Sequence, residues 1–436
     1  MSDKPGNIET LDEAPRQPPR KVSRRDAIKY CALGFAGLSA VGSAVGYFAS
    51  AGRDKRLTGV FKGDAPKTLW KWSREAMHYL KLGRNVNCKL CPNNCILAPG
   101  DRSACRVKVN MDGTLYTIAY GNPCAVHVDP IEKKPLMHFL PQTGAFSIAT
   151  AGCNLRCLNC QNWEISQSRP EDVVNVDLPP EKVVELTKES GCTSIAYTYS
   201  EPVAFYEYMY DTGMLAHEHG LKNVWVSNGY INRKPLEQLC KVIDAANVDL
   251  KSYDEEIYNR LNAGHLKPIL NTLRTLRDKG VWFEVTTLLV PTYLDDMRMI
   301  ERMCRWLIKE IGPGHPMHFS RFMPQHKLSH LPPTPVATLR AAREVALNAG
   351  MHYVYVGNVA LDEVPGSANT YCPKCRELLV ERRGFFVIRN DITNGACKHC
   401  GRPIEGVWET ARAGDQEPDG KDGETPNEAP AERPGD

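Results

Sequence analysis

The sequence predicts an α/β fold, an open or partial (β/α)6 barrel in preference to a doubly wound sheet, on three observations. From about residue 145, short apolar or alternating runs give way to stretches with apolar residues three and four apart, the strand and helix alternation of a parallel sheet. Six such units are followed by one more strand-like run. Nearly every strand-like run ends in polar or glycine residues, and in a barrel the chemistry gathers where strands end.

Taken in order, the strand-like runs are AFSIATAG (145–152), TSIAYTYS (193–200), NVWVSNG (223–229), NVDLKSY (247–253), WFEVTTLLVP (282–291) and MHFSRFMP (317–324), with HYVYVGNV (352–359) as the last. They are short, rich in Val, Ile, Tyr and Thr, and bounded by turn residues. Between them lie the helical stretches PEKVVELTKES (180–190), VAFYEYMYDTGMLAHEHG (203–220), LNTLRTLRDKG (270–280), MRMIERMCRWLIKEI (297–311) and PVATLRAAREVALNAG (335–350). Around this body the chain divides into a start and signal-like segment (1–52), a cysteine-rich module (75–144), the barrel (145–362), a ribbon (365–412) and a tail (413–436).

Bulk properties narrow the function. At 436 residues with 42% hydrophobic content the chain can bury a large core. A net charge of +3 arises from nearly balanced acids and bases, with no basic stripe interleaved with aromatics, so nucleic acid is not an expected partner. The 16 cysteines fall into three groups plus the scattered Cys31, Cys124, Cys192, Cys240 and Cys304, most of which read as buried free thiols. Tight C-x2-C spacing points to metal rather than to a disulfide framework.

Both ends differ from the middle. Residues 1–20 and 413–436 are polar, Pro-rich and without periodicity, and read as disordered. Ser23, Arg24, Arg25 and Lys29, followed by an uncharged run over 30–52, resemble a twin-arginine export signal, with Ala49-Ser50-Ala51 as a cleavage candidate. That resemblance implies a membrane-associated or periplasmic protein. A membrane anchor holding the body on the cytoplasmic face is the alternative, since about 20 apolar residues span a bilayer.

The stretch GCNLRCLNCQNWEISQ (152–167) carries Cys153, Cys157 and Cys160 at C-x3-C-x2-C with no fourth cysteine in reach. A closed zinc site wants four ligands. A cubane iron–sulfur cluster held by three thiolates instead leaves one iron open to a substrate or cofactor. A zinc knuckle borrowing a distant ligand is the competing reading.

A C-x3-C-x2-C loop directly after the first strand of a partial barrel resembles the radical S-adenosylmethionine (radical SAM) superfamily. That resemblance implies a 4Fe-4S cluster on the three cysteines, S-adenosylmethionine on the open iron, and a 5′-deoxyadenosyl radical that abstracts hydrogen. Asn159 stands where an aromatic residue is common. By the same resemblance Glu201 of YSEP would accept from the cofactor's ammonium, and Ser227, Asn228, Gly229, Asp249, Lys251 and a late His318 would surround it, as in glycyl-radical-enzyme activases. Gly357 and Asn358 would lie along the adenine. Asp249 and Lys251 alternate with Leu250, so both would face the lumen.

DPIEKKPLMHFLP (129–141), CNLRCLNCQNWEISQ, YTYSEP, HFSRFMP and YVYVGNV together resemble the radical SAM enzymes of the AmmeMemoRadiSam system, relatives of the pyruvate formate-lyase activating enzyme, over about 75–408. The resemblance implies a protein or peptide substrate, a flavodoxin- or ferredoxin-like one-electron donor, and Memo-type and AMMECR-type partners. Lys133, Lys134 and His138 belong either to a solvated loop or to a segment closing over the site.

Two further cysteine groups flank the barrel. Cys88, Cys91, Cys95 and Cys105 could close on zinc, hold an auxiliary iron–sulfur cluster or form two disulfides. Cys372, Cys375, Cys397 and Cys400 have the paired-knuckle spacing of a zinc ribbon, a closed structural site, with rubredoxin-like iron as the alternative. An exported electron carrier that never cleaves S-adenosylmethionine is the competing function; it has no need of polar groups at strand ends. A disulfide-stapled binding protein explains neither the triplet nor the barrel pattern.

Overall fold

The fold is described from a computed structural model over residues 71–408; the twin-arginine segment and the acidic tail lie outside the described residues. The chain enters through short strands β1 (Arg74–Glu75), β2 (Tyr79–Leu82), β3 (Asn85–Cys88), β4 (Ile96–Leu97), β5 (Lys108–Met111) and β6 (Thr114–Thr117). They form two antiparallel sheets, ordered β1-β6-β5 and β2-β3-β4.

The body is one eight-stranded sheet: β7 (Ala125–Pro130), β8 (Gly144–Ala149), β9 (Ser194–Tyr197), β10 (Lys222–Ser227), β11 (Ala245–Asp249), β12 (Trp282–Leu289), β13 (Met317–Arg321) and β14 (Val354–Gly357). Neighbours in the sheet are neighbours in sequence, and β8 through β14 are all parallel. A doubly wound sheet reverses its strand order partway; this one does not. The first strand, β7, runs antiparallel to β8 and was assigned by sequence to the cysteine-rich module, because AVHVDP is too short and too charged to stand out. Helices missed by sequence are the single turn Trp163–Ser166, Arg233–Leu239 and Glu255–Asn262, the last capped by Asp254 accepting from the Ile257 N–H.

Successive side chains of a strand point to opposite faces. On the inner face Ala145, Ala196, Val224 and Ala245 are small enough to admit a plug, and Ile131, Leu136 and Phe139 fill the space against them. The segment 131–139 is therefore floor, and the expectation of a solvated loop there is corrected: Lys134 and His138 are both buried, Lys134 because its ammonium meets Asp129 of β7 at 2.5 Å. Lys133, half exposed, pairs with the same carboxylate at 2.8 Å.

Beneath the floor lies the C-terminal ribbon, with β15 (Thr370–Tyr371), β16 (Leu378–Arg383) and β17 (Phe386–Asn390) in one sheet and β18 (Ile392–Thr393) paired with β19 (Ala396–Cys397). Leu379, Val380 and Ile404 share one buried cluster with Met137, Tyr353 and Tyr355. A directional chain of hydrogen bonds crosses this junction. Burial pushes the His138 imidazole down to about 4, so it is neutral, and the Glu405 carbonyl at 2.6 Å can only accept from its Nδ1. His138 Nε2 then accepts from the Tyr355 hydroxyl at 2.7 Å, which accepts from Thr370 at 2.7 Å, whose Oγ1 accepts from Arg382 at 3.0 Å.

Arg382 also donates to the Met137 carbonyl at 2.7 Å and lies 3.8 Å from Glu132, both side chains fully buried. Removing one member of a buried charge pair strands the other. Arg382→Met is expected to lower the unfolding free energy by about 3–5 kcal/mol, seen as a fall in the urea midpoint, and adding Glu132→Gln should recover part of it. A midpoint unchanged by Arg382→Met would show that the junction does not depend on this pair.

Candidate metal and cofactor site

Strand β8 delivers the chain into the Gly152–Cys160 loop, which the rest of the fold holds through its backbone. The Gly152 N–H donates to the Ile165 carbonyl at 2.9 Å, Arg156 to Asn262 at 3.0 Å and Leu158 to Leu261 at 2.9 Å, while Leu158 accepts from Lys327 at 3.1 Å. Leu155, fully buried, anchors the turn between the first two cysteines. Its N–H donates to the Cys153 sulfur at 3.4 Å. Cys153, Cys157 and Cys160 are free thiols that line one cavity of about 350 Å³. Burial pushes all three thiols above their ordinary range.

The same cavity receives the ends of β9, β10 and β11. Glu201 is buried two residues from the Val203 N–H, from which its Oε1 accepts at 3.0 Å; Oε1 also accepts from the Ser227 hydroxyl at 2.7 Å, and Oε2 from the Asn228 N–H at 2.9 Å. Burial pushes the Glu201 carboxyl up to about 7 against the pull of these donors. Asn228 donates to Asn154 Oδ1 at 2.9 Å and stands 3.8 Å from the Cys153 sulfur, tying the strand end to the cysteine loop. Burial alone would depress the Lys251 ammonium, but Asp249 at 2.8 Å and Cys157 outweigh it and raise it above the ordinary value.

Not every residue predicted for the site reaches the cavity wall. Gly229 has φ +67°, and a Cβ there would meet Val248 at 2.9 Å, so its requirement is backbone shape. His318 lies two residues before Ser320 on the same face of β13, one layer deeper, bonded to Glu284 at 2.6 Å and stacked on Tyr355. Ser320, not His318, lines the cavity. Gly357 and Asn358 are exposed beyond that lining, and Asn358, at φ +60°, donates to the Arg321 carbonyl. Sequence reasoning missed Thr198 and Ser320, which stand at or next to the C-terminal ends of β9 and β13, the available signal, and Thr286, which lies mid-strand on β12 opposite Asp249, the last residue of β11. Lys134, which the sequence leaves between a solvated loop and a segment closing over the site, lines the cavity, and its ammonium is pushed down to about 8 by burial, with Asp129 opposing.

Three thiols with no fourth cysteine on the cavity among the described residues, beside an acid, an amide and an ammonium, fit a three-thiolate cluster carrying a zwitterionic ligand on its open iron. Two buried polar atoms of cavity-lining residues, Asn159 Oδ1 and Thr286 Oγ1, have no partner among the described residues. Unpaired buried polar atoms are costly, and a bound polar ligand would satisfy them. The ribbon cysteines differ. Cys372, Cys375, Cys397 and Cys400 present sulfurs that all lie within 4.8 Å of one another, as a single tetrahedral ion requires. Cys88, Cys91, Cys95 and Cys105 line a separate buried pocket.

A family model described as the Radical SAM superfamily matches residues 147–307. The chain is 44% identical over 335 residues to an uncharacterized protein of Methanocaldococcus jannaschii, covering 76% of this chain and 99% of that one. It is 25% identical over 149 residues to the pyruvate formate-lyase 1-activating enzyme of Escherichia coli, covering 33% of this chain and 61% of that enzyme. Among solved structures, SuiB of Streptococcus suis bound to S-adenosylmethionine gives a TM-score of 0.41 at 13% identity, over 54% of this chain and 55% of that one.

Glu201 supplies a pH test. Its carboxyl is raised by burial from 4.5 to about 7, so between those values the folded state holds a proton that the unfolded state has lost. Relative to Glu201→Gln, the metal-free protein should therefore lose stability, by about 3 kcal/mol at most, as pH rises from about 4.5 to about 7, and then level off. Parallel stability curves for the two proteins across this window would contradict the assignment. For the ribbon, if the four sulfurs take up zinc, Cys375→Ser in the full chain is expected to abolish zinc uptake and lower the thermal midpoint; one equivalent of zinc retained in the variant by atomic absorption would show that the four sulfurs are not its ligands.

Proposed function

The chain belongs to the radical SAM superfamily, and from that premise we propose that it cleaves S-adenosylmethionine reductively, by means of a 4Fe-4S cluster on Cys153, Cys157 and Cys160, and abstracts hydrogen from a protein or peptide. The observation that carries the reading is the convergence, on one cavity, of three thiols from a single loop with Glu201, Asn228, Asp249 and Lys251 from three successive strand ends. An electron carrier has no use for such a wall. When bound, the cluster and S-adenosylmethionine supply one low-potential electron and a carbon–sulfur bond that breaks to give a 5′-deoxyadenosyl radical.

This chain's own residues bind and orient. Glu201, with three protein donors fixed on its carboxylate, is preorganised to take an ammonium at its remaining Oε2 lone pair, which would also draw its raised pKa down. Lys251, held by Asp249, offers a fixed cation to a carboxylate. Asn159 and Thr286 offer an acceptor and a hydroxyl to the polar groups of the ligand. Asn228 holds the cysteine loop against the strand ends, so ligand binding and cluster geometry are mechanically joined.

The finer reading is an activase-like enzyme with a radical SAM partial barrel. Motif resemblance to the AmmeMemoRadiSam system suggests Memo-type and AMMECR-type partners and a flavodoxin- or ferredoxin-like donor. The ribbon carries zinc in this reading, and the twin-arginine segment directs the protein to the membrane or beyond it. The decisive assay is anaerobic reconstitution followed by detection of 5′-deoxyadenosine. Cys157→Ala should abolish product and lose the share of cluster absorbance that belongs to this loop, whereas Glu201→Ala should keep the absorbance while weakening cofactor binding at least tenfold. Product from Cys157→Ala, or unchanged cofactor affinity in Glu201→Ala, would overturn these roles.

A further inference from the structure

The cysteine-rich module packs directly behind the three-cysteine loop. Strand β3 ends in Cys88, the turn to β4 carries Cys91 and Cys95, and Cys105 arrives on the tight turn before β5, with Arg106 at φ +73°. The body pins these turns in place. Asn232 donates from its side chain to the Lys89 and Cys91 carbonyls at 2.7 and 3.0 Å and from its backbone to Leu90 at 3.0 Å. Asn93 donates to the Asn154 carbonyl, next to Cys153, at 2.8 Å. Gly152, at φ +104°, lies so close to the module that a Cβ would meet the Cys105 carbonyl at 2.5 Å.

All four cysteines are free thiols and line one buried pocket, together with Lys108 and Asn154. Backbone N–H groups already face the sulfurs: Leu90 to Cys88, Asn93 to Cys91 and Ala104 to Cys95. The first two repeat the two-residue offset by which Leu155 donates to Cys153. Such donors offset thiolate charge at a metal.

The spacing of the sulfurs separates a single ion from a cluster. Zn–S bonds of about 2.3 Å in a tetrahedron put the sulfurs about 3.8 Å apart, and the ribbon meets this, with Cys372 to Cys400 at 3.6 Å and Cys375 to Cys397 at 3.7 Å. Among the described residues no three of the N-terminal sulfurs are gathered within 4.8 Å of one another, and neither are the three of Cys153, Cys157 and Cys160. A cubane holds each thiolate on a separate iron and needs that wider spacing.

We infer that Cys88, Cys91, Cys95 and Cys105 hold a second four-iron cluster, closed by its four thiolates and seated against the back of the Cys153 loop. It goes beyond the proposed reaction and does not depend on cofactor cleavage. The test is iron, sulfide and zinc analysis of the full chain after anaerobic reconstitution, with EPR after dithionite reduction. The Cys153→Ala, Cys157→Ala, Cys160→Ala triple variant should keep half the parent's iron, about four irons per chain, and an EPR signal of a reduced cluster. Cys91→Ala with Cys105→Ala in the otherwise intact chain should likewise halve the iron, and combining all five substitutions should remove it while leaving the ribbon zinc as a control for folding. Iron-free triple variant with a second zinc, or with four thiols fewer by titration because of disulfides, would overturn the inference. Failure of the proposed reaction would show separately, as a parent with full iron and no 5′-deoxyadenosine.

Discussion

The structure depends on one hydrogen-bonded link between the cysteine loop and the strand ends. Asn228 reaches Asn154 with its side chain and Glu201 with its backbone, while Ser227 completes the hold on the same carboxylate. A loop of free thiols has no rigidity of its own. Here it acquires rigidity from groups that also form the wall of the cavity, so the geometry of a metal centre and the geometry of a ligand site cannot be adjusted separately. Burial of Glu201 strengthens each of these bonds and raises the cost of leaving any of them unmade.

Support comes from both sides. Behind the loop, the cysteine-rich module is fastened by Asn93 and Asn232 to the very turns that carry Cys153 and Asn228. Beneath the cavity, the 131–139 plug fills the narrow end of the inner face, and the ribbon closes it through the chain from Arg382 to Glu405. Glu284 joins the two levels, accepting from the His138 backbone at 2.7 Å and bonding His318 at 2.6 Å. A tetrahedral site in the ribbon would thus stabilise the floor of the cavity without touching a ligand.

Much of this was legible in the sequence, and the failures have physical causes. The parallel strands could be read because they are largely buried on both faces and therefore mostly apolar, with polar residues toward their ends. The strand β7 was not, since an edge strand carrying His127 and Asp129 lacks that signature. Cysteine spacing pointed to three separate groups, yet spacing along the chain cannot distinguish a zinc site from a cluster; the distance between sulfurs can. His318 was carried over from the resemblance to the activases, but two residues of strand separate the floor from the cavity, and register assigns the wall to Ser320. The plug was ambiguous because Lys133 and Lys134 look alike in sequence while only Lys134 is buried.

The central claim is that the iron left open by Cys153, Cys157 and Cys160 takes the amino acid end of S-adenosylmethionine inside this cavity. Electron–nuclear double resonance of the reduced, reconstituted protein with cofactor labelled by 15N at its amino group tests it directly. A resolved 15N coupling to a cluster signal that disappears in the triple cysteine variant is the predicted result. A reduced-cluster signal at saturating cofactor with no 15N coupling would contradict the account.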